Sequence, residues 1–197
     1  MAGSGSFAIE IADWATDAGW DVRGLIELID PARVGCSTDG HSIVPTKPPE
    51  ENRRAVVAAG GSRRAHWSAL EQLGWETATV VHPSAHISST ATLAAGCVVG
   101  PGAVVGARST VGPHTLISRG ALIGHHCRIE GFVSLMPGTN IGGHVQIGER
   151  TTVGMAAVVI NGGQIGEQAT IAAGAVVLGD VADGARVQGV PAREFRE

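Results

Sequence analysis

Apolar and polar positions recur on a six-residue frame through more than half of this chain. Seventeen consecutive hexads, from Val81, Ile87 and Leu93 to Ile165, Ile171 and Val177, each begin with Val, Ile or Leu. The fifth place is small or β-branched throughout, as at Ala85, Cys97, Ser109, Thr115 and Val181, and the second place is Gly in eight of the seventeen. A period of six fits neither an α-helix nor one continuous strand. It fits a short strand followed by a turn, repeated. The first aliphatic residue then points into a shared interior, and the fifth fills the space beside it. Burying each aliphatic side chain is favourable by roughly 1.5–3 kcal/mol. No hexad can bury its own apolar face, so the coils must stack and their ends must be capped. Gly at the second place serves either a backbone with φ > 0 or the close approach of neighbouring coils.

The first eighty residues have no such frame. Ile11, Trp14, Ala15 and Ala18 have helical spacing, stopped by Gly19. Val22 to Ile29 reads as a strand, Ala55 to Ala59 as a strand ending in a turn at Gly60-Gly61, Ser62 to Leu73 as a helix closed by Gly74, and Thr77 to Val81 as a short strand. Pro45, Pro48 and Pro49 mark an intervening loop. The alternation predicts a small α/β domain over 1–80, a solenoid over 81–182 and a C-terminal tail over 183–197. The turn Gly3-Ser4-Gly5-Ser6, opening a helix at Phe7, can cradle a phosphate on its N–H groups; a plain tight turn explains it equally. Such a turn should follow a strand, and Met1 and Ala2 alone precede Gly3. The domain is therefore expected to lack its first strand or to be degenerate.

A formal net charge of −4 over 197 residues argues against a nucleic-acid partner. No apolar run reaches 18 residues and no signal-peptide pattern opens the chain, so a cytoplasmic protein without membrane contact is expected. Three cysteines do not suggest a disulfide framework. Cys97 and Cys127 occupy fifth places and read as core, while Cys36 lies in a loop. Tyr is absent, which excludes phenol chemistry.

The uninterrupted hexads resemble the hexapeptide-repeat acyltransferases. The resemblance implies three hexads per triangular coil of a left-handed parallel β-helix, hence nearly six coils. The order of the two parts resembles the sialic-acid O-acetyltransferase and bacillosamine N-acetyltransferase group, whose small Rossmann-like first domain binds a nucleotide-sugar. In that group the first domain carries a strand of the Gly-Phe-Ile-Asp-Asp type. Here Gly24-Leu25-Ile26-Glu27-Leu28 matches it at Glu27 and departs at Leu28. His82-Pro83-Ser84-Ala85 matches the entry into the β-helix, and Gly189-Val190-Pro191-Ala192-Arg193 its end.

Acyl transfer from a thioester needs a base for the attacking amine or hydroxyl and donors for the developing oxyanion. His suits the first role. By position alone His125, third in Ile123-Gly124-His125-His126-Cys127-Arg128, reads as a polar corner residue. The resemblance makes it the catalytic base, with His126 standing where an acid normally orients the imidazole. Residues eighteen apart should stack, placing Gly143 and then Asn161 over His125. Gly143 should leave open space and an accessible N–H for the oxyanion, a role the resemblance also implies. A second His common in the family is Ser134 here.

The resemblance further implies acetyl-CoA as co-substrate and a homotrimer with the site between subunits. The CoA-binding residues would be Gly143, Gly154, Met155, Ala156, Ala172, Ala173 and Arg193. Those of the sugar or nucleotide-sugar acceptor would be Gly3, Ser4, Gly5, Ser6, Phe7, Glu27 and Ser118. Phe7 can stack on a nucleobase or pack the small domain. A non-catalytic trimeric scaffold is the alternative. A zinc enzyme of the γ carbonic anhydrase kind is disfavoured. No His pair has that family's spacing, His125 and His126 should point apart as neighbours on a strand do, and no third ligand for His126 and His144 is visible.

Overall fold

In a computed structural model of the chain, which describes residues 1–49, 53–58 and 63–195, the hexads wind into a parallel β-helix. Each hexad supplies a two-residue strand ending at its first aliphatic place, as in Val104–Val105, Thr110–Val111 and Leu116–Ile117. Val104 pairs with Leu122 and Leu122 with Asn140, so partners are eighteen residues apart (122 − 104 = 18). Successive strands fall on three different sheets, of six, five and eight strands, and every third hexad returns to the same sheet. The aliphatic first places Val99, Val105, Ile117, Leu135, Ile147 and Val153 are fully buried, as are the fifth places Ala103, Ala121, Val133 and Ala157.

Polar fifth places satisfy themselves inside this core. The hydroxyls of Ser109, Thr115 and Thr151 donate to the carbonyls of Gly124, Glu130 and Gly166 at 2.8, 2.9 and 2.6 Å. The thiols of Cys97 and Cys127 reach Gly112 and Gly142 in the same way, and burial pushes both thiols up. The buried Thr139 hydroxyl has no hydrogen-bond partner among the described residues. Of the two roles open to glycine, the second place uses close approach. A β-carbon on Gly106 would lie 2.6 Å from the Gly124 carbonyl carbon. Positive φ belongs instead to the fourth place, where Arg108, His114, His126, Phe132, His144, Arg150, Ala156 and Gln168 all adopt it.

The first eighty residues form a small α/β unit. It comprises α1 (Ser6–Asp17), β1 (Leu25–Ile26), β2 (Ser37–Thr38), β3 (His41–Val44), β4 (Arg54–Ala55), α2 (Arg63–Gln72) and β5 (Glu76–Thr77). β1 runs parallel to β3, and β4 to β5. The strand expected before the Gly turn is reduced to Ala2, which bridges Ile26 on one side and Val57 on the other. The strand expected from Val22 to Ile29 narrows to β1. The hairpin β2–β3 is an element beyond those expected, although its turn, Asp39-Gly40, is a strong hairpin signal and has φ of 44° and 79°. The expected turn at Gly60-Gly61 lies outside the described residues.

α1 sends Ala8, Ile11 and Trp14 between Leu25 and Val56 of the small sheet and Val80, Val98 and Leu116 of the β-helix. α2 covers the other sheet face with Trp67 and Leu70 against Ala2, Ile26, Ala55 and Val57. Arg63 fastens the unit to the β-helix. It is 4% exposed, and its guanidinium donates to the carbonyls of His114, Phe132 and Val133 and to Ser134 Oγ, at 2.8–3.1 Å. Ser134, at the family's second His position, is thus held by this arginine. The His114 ring lies between Trp67 and Phe132, with centroids 4.6 and 5.0 Å away. Past Ala182, Arg186–Gln188 adds to the sheet beside Thr170–Ile171, and Arg193–Glu194 folds back antiparallel on it.

Candidate functional site

Three imidazoles meet at one corner of the β-helix. The strand Leu122–Ile123 ends in a turn that carries His125 at the third hexad place and His126 at the left-handed fourth place, with φ of 57°. One coil on, His144 occupies the same fourth place at φ 59°, and its N–H donates to the His125 carbonyl at 2.8 Å. The rings of His126 and His144 stack at 4.8 Å, and His125 stands edge-on to them at 5.2 and 5.0 Å. All three side chains are exposed. The expectation that His125 and His126 point apart is corrected here. That rule belongs to strands, and a left-handed turn residue swings its side chain back toward its neighbour. One ring nitrogen from each falls within 4.8 Å of the others, so His125 supplies the third nitrogen beside His126 and His144 that the sequence did not show.

His125 Nδ1 and His126 Nδ1 are 3.0 Å apart, so one carries a proton and donates it to the lone pair of the other. His126 is held below the ordinary imidazole value, first by loss of water around the packed rings, then by the positive charges of His144, His125 and Arg108 when these are protonated. A neutral His126 can accept from His125 where the family pattern calls for a carboxylate.

Gly143 lies over His125 as counted, but the expectation of open space is corrected. The His125 ring fills it: a β-carbon on Gly143 would lie 2.7 Å from Cε1. The Gly143 N–H is also engaged, donating to Asn161 Oδ1 at 2.9 Å. Counting in eighteens placed Asn161 in this column, but nothing in the sequence signalled the bond. Cys127, beside the cluster, is 1% exposed and bonded inward.

The remaining expected residues fall elsewhere. Gly154, Met155, Ala156, Ala172 and Ala173 follow strands Thr152–Val153 and Thr170–Ile171, which belong to a different sheet from Leu122–Ile123. They therefore stand at another corner, where Met155 is 53% exposed. Gly154 keeps its role of close approach there, since a β-carbon would lie 2.5 Å from the Ala173 nitrogen. Arg193 is exposed on the terminal hairpin, and its guanidinium donates to the Ala192 carbonyl. Ser118 is buried, just past the strand Leu116–Ile117.

In the small unit Gly5 caps α1, and Gly3 is required at φ 122° against the Ala58 carbonyl. Ser6 is exposed and Phe7 half-buried at the start of α1. Glu27 is turned inward. One carboxylate oxygen accepts the N–H groups of Leu28, Ile29 and Asp30 at 3.0, 2.8 and 2.9 Å, and the other accepts the Ser4 hydroxyl. Burial by itself would raise this carboxyl, but the Ser4 hydroxyl and the three N–H groups outweigh it and bring it down to about 2. Arg33, unmarked in the sequence, donates to the Ser4 carbonyl at 2.8 Å and closes the cluster. Ser4 and Glu27 therefore shape the Gly turn from within. Among the described residues no helix is long and apolar enough to cross a membrane.

No family model matches the chain, and no curated protein matches it in sequence. Solved structures do. The acetyltransferase domain of PglB from Neisseria gonorrhoeae, in complex with acetyl coenzyme A, is 29% identical, with a TM-score of 0.90 over 98% of this chain and 97% of that one. A variant of GDP-perosamine N-acetyltransferase from Caulobacter crescentus, in complex with CoA and GDP-perosamine, is 26% identical, with a TM-score of 0.89 over 100% and 95%. WeeI from Acinetobacter baumannii, 22% identical, shares the fold at a TM-score of 0.91 over 98% and 97%. The solved structures that this chain resembles over nearly its whole length are thus sugar acetyltransferases of the hexapeptide-repeat fold.

Proposed function

We propose that this protein transfers an acetyl group from acetyl-CoA to an amine or hydroxyl of a nucleotide-linked sugar. The observation that carries the reading is the end-to-end likeness to two acetyltransferases, one holding acetyl-CoA and the other CoA with GDP-perosamine. In this reading the small unit is a Rossmann-like nucleotide-sugar domain and the β-helix is left-handed. The turn would meet the acceptor's phosphates through backbone N–H groups after Gly3, because the Gly3 N–H donates to the Ile26 carbonyl and the Ser4 hydroxyl is already committed to Glu27.

His125 is the general base. Its Nδ1–H donates to His126 Nδ1, which leaves the Nε2 lone pair for the proton of the attacking amine or hydroxyl. The nucleophile then adds to the thioester carbonyl and the CoA thiolate departs, with no acyl-enzyme, since Cys127 is buried and bonded inward. Gly143 N–H donates to the oxyanion once Asn161 Oδ1 releases it.

The CoA-facing corner around Met155 and the base corner around His125 lie apart on one chain, which supports a homotrimer with each site shared between copies. The apolar residues Leu122, Ile160 and Leu178, 40–56% exposed near the base corner, support the same interface. The test is acetyl-CoA turnover with a panel of amino-sugar nucleotides. His125→Ala should cost roughly 10²–10⁴ in kcat. Unchanged turnover removes the base assignment, and no turnover with any acceptor favours the scaffold reading.

A further inference from the structure

We propose that His125, His126 and His144 form a binding site for one borderline divalent cation, Zn²⁺ foremost, and that occupation of this site switches the transferase off. The second half rests on the reading of His125 as base.

The ligand set is three imidazoles, which suits Zn²⁺, Cu²⁺ or Ni²⁺ rather than Mg²⁺ or Ca²⁺. Ligands at about 2.0–2.1 Å from a tetrahedral zinc stand about 3.3 Å from one another. His125 Nδ1 and His126 Nδ1 are already 3.0 Å apart, and one ring nitrogen from each of the three imidazoles lies within 4.8 Å of the others. The exposed rings reach that geometry by small χ rotations, leaving one coordination position for water. Two ligands sit at equivalent places on successive coils, where Ala107 and His125 carbonyls pin the backbone N–H groups of His126 and His144 at 2.8 Å. The coil spacing therefore presets their separation. The Arg108 charge lies in the same column and opposes the cation, so the site is expected to be moderate in affinity.

Binding changes the tautomer of the base. Without metal, the Nδ1 of His125 holds the proton and Nε2 the lone pair. With metal on Nδ1, the proton moves to Nε2, no proton is lost, and the lone pair that would take the acceptor's proton is gone.

Tag-free protein, stripped with chelator, is titrated with Zn²⁺ by calorimetry and with Co²⁺ by visible absorption. The expected result is one ion per chain, with tetrahedral cobalt bands, and at least about tenfold weaker binding in His144→Asn. Asn tolerates the left-handed backbone at this position. No binding, or equal binding by His144→Asn, overturns the site. Turnover should fall as zinc saturates and return with chelator. Saturation without loss of turnover overturns the switch. The binding titration needs no turnover, so failure of the base reading, seen as full activity in His125→Ala, is distinguishable from failure of the metal site.

Discussion

A β-carbon on Gly143 would lie 2.7 Å from Cε1 and 2.8 Å from Nε2 of His125, so the imidazole rests directly on the backbone of the next coil. Glycine here holds the ring close rather than keeping space empty. Gly143→Ala should tilt His125 off its bond to His126 and lower kcat about 10- to 100-fold while the protein remains folded. Steady-state kinetics beside a circular-dichroism melt check this. Full activity in Gly143→Ala would show that the ring's seat is unimportant.

Asn161 occupies the N–H that the oxyanion needs. Removing its side chain and changing its charge should therefore act oppositely. Asn161→Ala frees the Gly143 N–H and should keep kcat or raise it. Asn161→Asp places an anion beside the developing oxyanion and should lower kcat by at least about tenfold. Equal losses in both variants would assign Asn161 a direct part in binding or chemistry instead.

Two buried groups make stability depend on pH through different windows. The Glu27 carboxyl is brought down to about 2 from 4.5, so its contribution is present above 4.5 and is lost as pH falls toward 2. The His114 imidazole is lowered to about 4 from 6.5, by burial first and then by the Arg63 charge. Between 6.5 and 4 the unfolded chain takes up a proton that folded His114 refuses, so stability falls on acidification there, by on the order of 2–3 kcal/mol. Melting temperatures measured from neutral pH downward should decline in both windows. His114→Asn should flatten the upper window and Glu27→Gln the lower. A decline between 6.5 and 4 that survives in His114→Asn would locate the titrating group elsewhere.

Thr139 and Thr151 hold the same hexad place with opposite polar outcomes. The Thr151 hydroxyl donates inward and also accepts the Ala169 N–H at 3.1 Å, whereas the Thr139 hydroxyl is unpartnered among the described residues. Thr139→Val should be neutral or stabilising by up to about 1 kcal/mol. Thr151→Val should cost about 1–3 kcal/mol, because it leaves a buried N–H and carbonyl without their partner. Chemical denaturation of the two variants decides the sign for each.

The hexads made the β-helix legible because one aliphatic residue every six places leaves a single consistent interior. They also made the column of His125, Gly143 and Asn161 countable. What counting could not supply was side-chain direction. His126 and His144 turn toward His125 because the fourth place is left-handed, and no sequence pattern of six advertises that, since Arg, His, Phe, Ala and Gln all occupy it. Nor could it show that Ser4 and Glu27 spend their polar atoms on each other, or that Arg63 reaches two coils at once. Those are long-range meetings of single residues, without periodicity to announce them. The place of the first strand, which the sequence leaves empty, is taken by one residue, Ala2, and one residue has no pattern.

The eighteen-residue pairing makes the β-helix a ruler with a single graduation. A one-residue insertion anywhere between Ile123 and Ile171 would rotate every later side chain to the wrong place in its hexad, whereas an insertion of eighteen would leave each corner facing as before. The separation along the axis between the histidine corner and the terminal hairpin can therefore change only in whole coils of about 4.8 Å. Such a protein can alter its reach for a longer or shorter ligand in steps, never continuously.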